Sequence, residues 1–515
     1  LFGLLPAVSE EGMSRLFSIP FLQKHTKSTF IAVFISSLLW GLAHAAYPAQ
    51  PFFIRVIEVG LGGIFISIIF LRFGILPALI WHFTIDAVYG AMILLRSDDA
   101  YMFTSGLLCA GFFFLPLAYS LISYFKNGGF FSSDSLVNAL DTGIPEEKAD
   151  KTEDLEAVEI EKVYKPLSTN RKKIGIIFAI ISILLAIVIK KDNDLSSLFQ
   201  FNVTQNEAYV KAKEFLTSHN IDVSDYDYVI ENESDMREWM MSAGGSGGSG
   251  VGGKNLKYPH YFIEQSNNDS TINTSEILIE AYTNHDAPHQ WNVRFYKPGE
   301  IREYQIDIDL RNGNVGEYER TLADTTFLPS VDADSALIIA ESELEEKWGF
   351  NNSLYSLKEI KSEEKENRTD HEITFQSDEF VGKARYLYSI TIQGNSVGSV
   401  YKMFWIPKEW EREYEKHTMG SQIRLIYSIL IYIAFTILIF YSVLKLLKTS
   451  DIPWKYILLG AIAFISIELI DYINESTAFM SGYDTEKLVA EHVISNILNN
   501  YAMGLAFNGL ICAIL

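Results

Sequence analysis

SEEGMSR at residues 9–15, WGLAHAAYP at 40–48 and WHFTIDAVYG at 81–90 place six ionisable side chains in or beside stretches apolar enough for a bilayer: Glu10, Glu11, Arg15, His44, His82 and Asp86. A charge at mid-membrane costs roughly 2.5 to 3.5 kcal/mol on insertion scales, so several within a few helices need a shared reason, and the ordinary one is a functional site. On a helix, Glu11 and Arg15 lie four residues apart and share a face, whereas Glu10 points about 100 degrees away. Glu11 is therefore expected to be the ion-pair carboxylate and Glu10 the free one. His82 and Asp86 repeat the four-residue spacing, so an imidazole and a carboxylate meet on one face. Such groups can move protons to and from a water, which is hydrolase chemistry.

The surrounding blocks decide the fold class. Residues 28–46, 53–71, 75–95 and 102–124 are each long enough to cross a hydrocarbon core of about 30 Å, and further spans are expected at 174–189, 423–444, 454–473 and 490–515. The stretch 4–23 carries the Glu pair and needs shielding by its neighbours. Gly60, Gly62 and Gly63 suit close helix packing better than a phosphate loop. The chain is thus expected to be a mainly α-helical polytopic membrane protein, a helix bundle, with an α+β domain in its polar middle. Placing Lys24, Lys27, Arg72, Lys126, Arg171–Lys173, Lys445 and Lys448 on the cytoplasmic side gives a consistent alternation, against which Lys190 and Lys191 are outweighed. Residues 190–420 then lie outside the cytoplasm, and the protein is a multi-pass component of the cell (inner or plasma) membrane.

The 515 residues are 48% hydrophobic with a net charge of −22, too long for one domain and too unevenly mixed to be uniformly soluble. The acid is concentrated in 145–165 and 200–420, which argues against a nucleic-acid partner. Cys109 and Cys512 both fall in apolar segments, so neither a disulfide framework nor a cysteine zinc site is expected. A start at Leu1 and an end inside an apolar run at Leu515 suggest a piece of a longer protein. Residues 125–173 lack apolar periodicity and read as a solvated linker, and GGSGGSGVGG at 244–253 reads as a flexible, unstructured loop rather than a ligand cradle.

The polar region echoes itself. TQNEAYVKAKEFLTSHNIDVSDY and DADSALIIAESELEEKWGFNNSLY both read as amphipathic helices, capped by Thr204 and Asp332. YQIDIDLRNGNVGEYER and YLYSITIQGNSVGSVYKMF alternate around a glycine-bearing turn, as hairpins do. The pattern is similar to two PepSY-like helix-plus-hairpin modules.

Glu-Glu-x-x-x-Arg at Glu10, Glu11 and Arg15, aromatic-x-x-x-His at Trp40 and His44, and His-x-x-x-Asp at His82 and Asp86 follow one another across successive apolar segments. Over roughly residues 1–125 this resembles the CPBP family of CAAX-prenyl-protease and bacteriocin-processing intramembrane endopeptidases. The resemblance implies a peptide-bond hydrolase with its site inside the bundle and a peptide or prenylated-protein substrate. Glu10 would polarise the attacking water, His44 would hold it, His82 and Asp86 would line the opposite side, and Glu11 with Arg15 would brace the frame. Trp40 stands where the family usually has phenylalanine, Asp86 where asparagine is common, and Leu16 where a glycine follows the motif arginine.

Cofactor dependence stays open at this point. Two histidines with one or two carboxylates meet the ligand count of a zinc hydrolase, with Glu10, His44, His82 and Asp86 as ligands if a metal is present; a glutamate and histidine can also activate water directly, and no cofactor is required in that preferred scheme. The expected division is 1–125 protease-like bundle, 126–173 acidic cytoplasmic linker, 174–189 membrane helix, 190–420 extracytoplasmic domain and 421–515 further membrane helices. The alternative is a catalytically silent membrane receptor or bacteriocin-immunity-type protein whose outer domain senses a peptide. Elsewhere, Arg55 and Glu58 read as a near-surface ion pair, Glu468 and Asp471 as carboxylates reaching interfacial water, and His285 and His289 as adventitious surface histidines.

Overall fold

The computed structural model describes residues 4–45, 53–112, 114–129, 168–188, 200–234, 257–268, 273–284, 289–416 and 478–498, with scattered positions between 422 and 470. The bundle opens with one continuous helical run: α1 (Leu4–Glu11), a π-helical stretch (Gly12–Ser18) and α2 (Ile19–Thr26). The four-residue spacing had implied a plain α-helix here; the backbone instead widens just after Glu11, as helices often do at functional sites. Lys27, at φ 55°, ends α2, and Ser28 caps α3 (Thr29–Ala43) by accepting from the Ile31 N–H. α4 (Phe53–Phe73) turns through Gly74, at φ 87°, into α5 (Ile75–Leu94). After the turn at 95–99 come α6 (Ala100–Gly111) and α7 (Phe114–Lys126), and then α8 (Thr169–Val188).

Among the described residues, α4 and α5 are long and apolar enough to cross a membrane, and α6 with α7, bent by 52°, make a third span if taken together. The expected span at 28–46 is shorter than anticipated. α3 has 15 residues and stops just before His44, so it falls short of the roughly 20 a span needs. α3 and α4 pack closely and antiparallel: a Cβ at Gly41 would meet the Val56 carbonyl and Gly60, and one at Gly63 would stand 2.9 Å from Trp40 Cε3. Two of the three glycines singled out in the sequence therefore do pack, while Gly62 meets nothing within 4 Å. The expected linker, the glycine loop at 244–253, Glu468, Asp471, His285 and most of the C-terminal spans lie outside the described residues.

The acidic region forms one eight-stranded antiparallel sheet in the order β1-β2-β3-β4-β8-β7-β6-β5. α9 (Gln205–Ser218) leads into β1 (Asp227–Ser234), then α10 (Lys257–Asn268) and α11 (Thr274–Asn284), then β2 (His289–Tyr296), β3 (Glu303–Asp309) and β4 (Val315–Thr321). α12 (Ala333–Lys347) leads into β5 (Tyr355–Glu364), β6 (Thr369–Ser377), β7 (Arg385–Gln393) and β8 (Ser396–Trp405), followed by α13 (Lys408–Lys416). Each half is a helix followed by a four-stranded meander, and the halves join through their last strands, with Tyr318 opposite Val400. Thr204 and Glu207 form a full capping box on α9, and Asp332 caps α12. Ala208, Ala212 and Leu216 on α9, and Ala336, Ala340 and Leu344 on α12, are fully buried at four-residue intervals against the same core. The expected hairpins are β3–β4 and β7–β8, but each unit has two more strands. The first pair is split by the inserted α10 and α11, and β5 is a polar edge strand without the alternation that marks a buried face.

One sequence expectation is reversed. His289 is fully buried, because β2 lies between β1 and β3, and its ring packs 5.1 Å from Phe201. Arg55 and Glu58 do pair, at 2.8 Å.

Two contacts tie the sheet domain to the membrane part. The Ser97 hydroxyl donates to the Phe201 carbonyl, and the Asp98 N–H donates to Asn202 Oδ1 at 3.0 Å. At the β1 side of the sheet, Arg294 is held by Glu303 at 2.6 and 2.7 Å and donates to the carbonyls of Ser481 and Tyr483, in the segment that precedes α14 (Val489–Asn496).

Candidate active site

Three helices supply the site. Glu10 and Glu11 end α1, Trp40 sits one turn before His44 at the C-cap of α3, and His82 and Asp86 lie one turn apart on α5. The π-helical stretch after α1 packs against α3, where the Ser36 hydroxyl donates to the Ser14 carbonyl at 2.5 Å. The Ser67 hydroxyl on α4 donates to its own Gly63 carbonyl, and the same carbonyl accepts from Arg15 Nη2 at 3.4 Å.

Glu11 and Arg15 pair at 3.2 Å with both side chains fully buried, as their spacing implied. The Arg15 guanidinium also lies over the Trp40 ring, 4.2 Å from its centroid. A buried pair of this kind holds position only when its remaining groups find partners, and His82 provides one: its Nδ1 lies 2.7 Å from Glu11 Oε1. Because Glu11 is the acceptor there, Nδ1 carries the proton and Nε2 turns toward Glu10 and Asp86.

His44 is set the same way. Its Nδ1 lies 2.8 Å from the Trp40 carbonyl, which can only accept, so Nε2 is again the nitrogen turned inward. Both Nε2 atoms converge on Glu10 Oε2, at 4.0 Å from His44 and 3.9 Å from His82. These gaps are too long for direct hydrogen bonds and right for one water bridging at about 2.8 Å to each side. Glu10 Oε2 is fixed by a 2.6 Å hydrogen bond from Trp40 Nε1. Asp86 Oδ2 lies 3.5 Å from His82 Nε2 and completes the ring of groups. Glu10 and Asp86 keep 29% and 23% of their side-chain surface exposed, against none for Glu11 and Arg15, so these two carboxylates lie on the more accessible side and the brace is buried.

All seven residues singled out in the sequence thus meet in one place. Two features were not legible there. The Trp40 indole is a hydrogen-bond donor to Glu10 rather than only an aromatic wall, and Tyr427, on the chain segment after the sheet domain, is close enough to Glu10 to interact with it electrostatically. Metal ligation fares differently. Two imidazole nitrogens and two carboxylates are suitable donor types, but among the described residues no group of three or more His, Cys, Asp or Glu side chains is arranged to hold a metal ion. Glu10 Oε2 is already engaged by an indole and stands 3.9 to 4.0 Å from both nitrogens, wider than a shared zinc with ligands near 2.0 to 2.2 Å would draw them.

Comparison with known proteins bears on the same segment. A stretch of 88 residues is 30% identical to the sporulation-killing factor biosynthesis protein SkfC of Bacillus subtilis (strain 168), covering 17% of this chain and 18% of that protein. No solved structure matches the chain. The family model described as Type II CAAX prenyl endopeptidase Rce1-like matches residues 1–88, the span from before Glu10 to just past Asp86. Residues 1–88 therefore match the Rce1-like CAAX prenyl endopeptidase family model, in a chain that also carries apolar membrane-type helices and a separate antiparallel sheet domain.

Proposed function

We propose that the protein is an intramembrane endopeptidase that hydrolyses a peptide bond near or within the membrane by glutamate and histidine activation of water. The observation that carries this reading is the convergence of His44 Nε2 and His82 Nε2 on Glu10 Oε2, at 4.0 and 3.9 Å. A water placed between them donates to Glu10, which takes its proton as general base, while the imidazole of His44 keeps the oxygen in line. In its imidazolium form His82, held at Nδ1 by Glu11 and with Asp86 Oδ2 3.5 Å from Nε2, donates through Nε2–H to the developing negative oxygen, and Glu10 then returns the water's proton to the leaving amine as the C–N bond breaks. Arg15 and Glu11 fix that imidazole, and Trp40 fixes the base. The substrate in this reading is a membrane-proximal peptide, with a prenylated protein as one form of it.

The preferred scheme needs no metal. Its support is that both inward nitrogens and Glu10 are spaced for a bridging water. If zinc were held, Glu10, His44, His82 and Asp86 would be its ligands and it would supply an acidified water. Cleavage that persists in 1,10-phenanthroline and in EDTA supports the metal-free scheme, and cleavage abolished by both and restored by zinc overturns it.

For the sheet domain we keep a PepSY-like, extracytoplasmic reading, with the domain bounds at 126–173, 190–420 and 421–515. It is supported by the repeated capped helix with its buried Ala-Ala-Leu face, and by basic Lys24, Lys27 and Arg72 lying at the end of the bundle away from the Ser97–Phe201 contact. The whole reading is tested by incubating the full chain in liposomes with membrane-proximal peptides, beside Glu10→Gln. Equal cleavage by both overturns the protease reading built on Glu10, and no cleavage by the parent favours the silent receptor.

A further inference from the structure

A cleft of about 670 Å³ opens in the sheet domain. Its floor is aromatic, with Trp348, Tyr386 and Tyr388 nearly buried, and its rim carries Glu280, Asp378 and Leu354. Such a volume matches the pockets that take a few residues of peptide or a small ligand.

Its position is defined by a short chain of hydrogen bonds. One wall is the β3–β4 turn around Leu310, whose carbonyl accepts the N–H groups of Asn202 and Val203. Phe201 and Asn202 are in turn the residues that touch Ser97 and Asp98 of the bundle. Ser97 and Asp98 follow the C-terminal end of α5, and α3 ends at that same end with His44, because α3 and α4 are antiparallel and α4 and α5 turn at Gly74 on the far side. The cleft therefore lies over the end of the bundle at which His44 stands, and Asp86 lies one turn from His82 toward that end.

The charge of the cleft selects among occupants. Arg311 is neutralised by Asp309 at 2.7 Å, and the Lys402 ammonium rests 5.6 and 5.7 Å from the Trp348 and Tyr388 ring centroids. Among the described residues neither Glu280 nor Asp378 has an ion-pair partner, and the sheet domain holds most of the chain's net charge of −22. Aromatic faces and unpaired carboxylates together suit a lysine- or arginine-bearing chain with apolar residues between, which makes ionic and cation–π contacts along one groove.

We propose that the cleft between α11, the β3–β4 turn and the end of α12 docks an extended basic peptide, on the side of the bundle at which His44 stands. That this peptide is the substrate rests on the protease reading above; that it binds does not.

The test uses the full chain in phosphatidylcholine nanodiscs, which carry no net lipid charge, and two fluorescein-labelled peptides, one alternating lysine and leucine and one with glutamate for lysine. The lysine peptide is expected to bind at least about tenfold more tightly. Reversing both rim charges with Glu280→Lys and Asp378→Lys is expected to weaken it about tenfold with unchanged melting temperature, whereas Glu364→Lys with Glu366→Lys, at the far β5–β6 turn, leaves it within about twofold. Equal binding of the two peptides, or equal losses from both pairs of reversals, overturns the docking site. Glu10→Gln leaves binding unchanged; if it also leaves cleavage unchanged, the protease reading fails while the docking result stands on its own.

Discussion

Trp40 Nε1 donates a 2.6 Å hydrogen bond to Glu10 Oε2 while its ring carries the Arg15 guanidinium 4.2 Å from its centroid. One indole thus links the buried brace to the carboxylate that faces the cavity. Its orientation depends on Gly63, where a Cβ would stand 2.9 Å from Trp40 Cε3 and 3.3 Å from Arg15 Nη2.

Trp40→Phe keeps an aromatic wall and removes only the donor. The net worth of a hydrogen bond to a charged group is about 1.5 to 3 kcal/mol, so kcat is expected to fall roughly ten- to hundredfold with little change in melting temperature. Peptide-cleavage kinetics beside a thermal melt decide this, and an unchanged kcat would show that the indole N–H does not hold the base.

Arg15→Ala leaves Glu11 buried without its cation. Breaking a buried pair by removing one partner typically costs about 3 to 5 kcal/mol, so this variant should melt well below the parent in detergent. Glu11→Gln keeps the shape and loses the carboxylate that fixes His82, and is expected to lose activity by about 10- to 100-fold, the range seen when an orienting partner of a functional histidine is removed. A melt of Arg15→Ala that matches the parent would contradict the bracing role.

Asp86 is the position where the resemblance and this chain part. Its Oδ2 is 3.5 Å from His82 Nε2, and asparagine offers an oxygen or an N–H at the same place. Asp86→Asn is expected to keep activity within about tenfold, whereas Asp86→Ala should lose considerably more. Steady-state kinetics on the two variants separate orientation of His82 from a requirement for the charge.

His289 ties the sheet domain to acid. Burial, and secondarily Arg311, push its pKa down to about 3 from the ordinary 6.5. Between those values the unfolded chain binds a proton that the fold does not, so this group lowers stability as pH falls from about 6.5 toward 3, by up to roughly 1.4 kcal/mol per unit. Thermal melts of His289→Gln are expected to show a shallower decline between about pH 6 and 4 than the parent. Parallel curves would mean that other groups set the acid limit.

Much of the site was legible because intramembrane charges are rare and a helix places residues four apart on one face. Glu11 with Arg15, and His82 with Asp86, follow from spacing alone, and Glu10 followed as the carboxylate left over. The convergence of three helices was not legible, since it depends on Gly41 and Gly63 letting α3 and α4 approach. In the sheet domain the two capped helices and the two glycine-turn hairpins were readable, while β1, β2, β5 and β6 were not: β1 is separated from its partner β2 by two inserted helices, and β5, the partner of β6, is an exposed polar edge. His289 was misread because sequence shows a loop-like neighbourhood and not the central position of β2 in its sheet.

The most direct measurement is oxygen-18 incorporation during cleavage of a membrane-proximal peptide by the full chain in liposomes, read by mass spectrometry beside Glu10→Gln. Water attack activated by Glu10 predicts one labelled oxygen in the new C-terminal carboxylate with the parent and a rate at least about a thousandfold lower with Glu10→Gln. Labelled product formed at equal rates by both proteins would contradict Glu10 as the base.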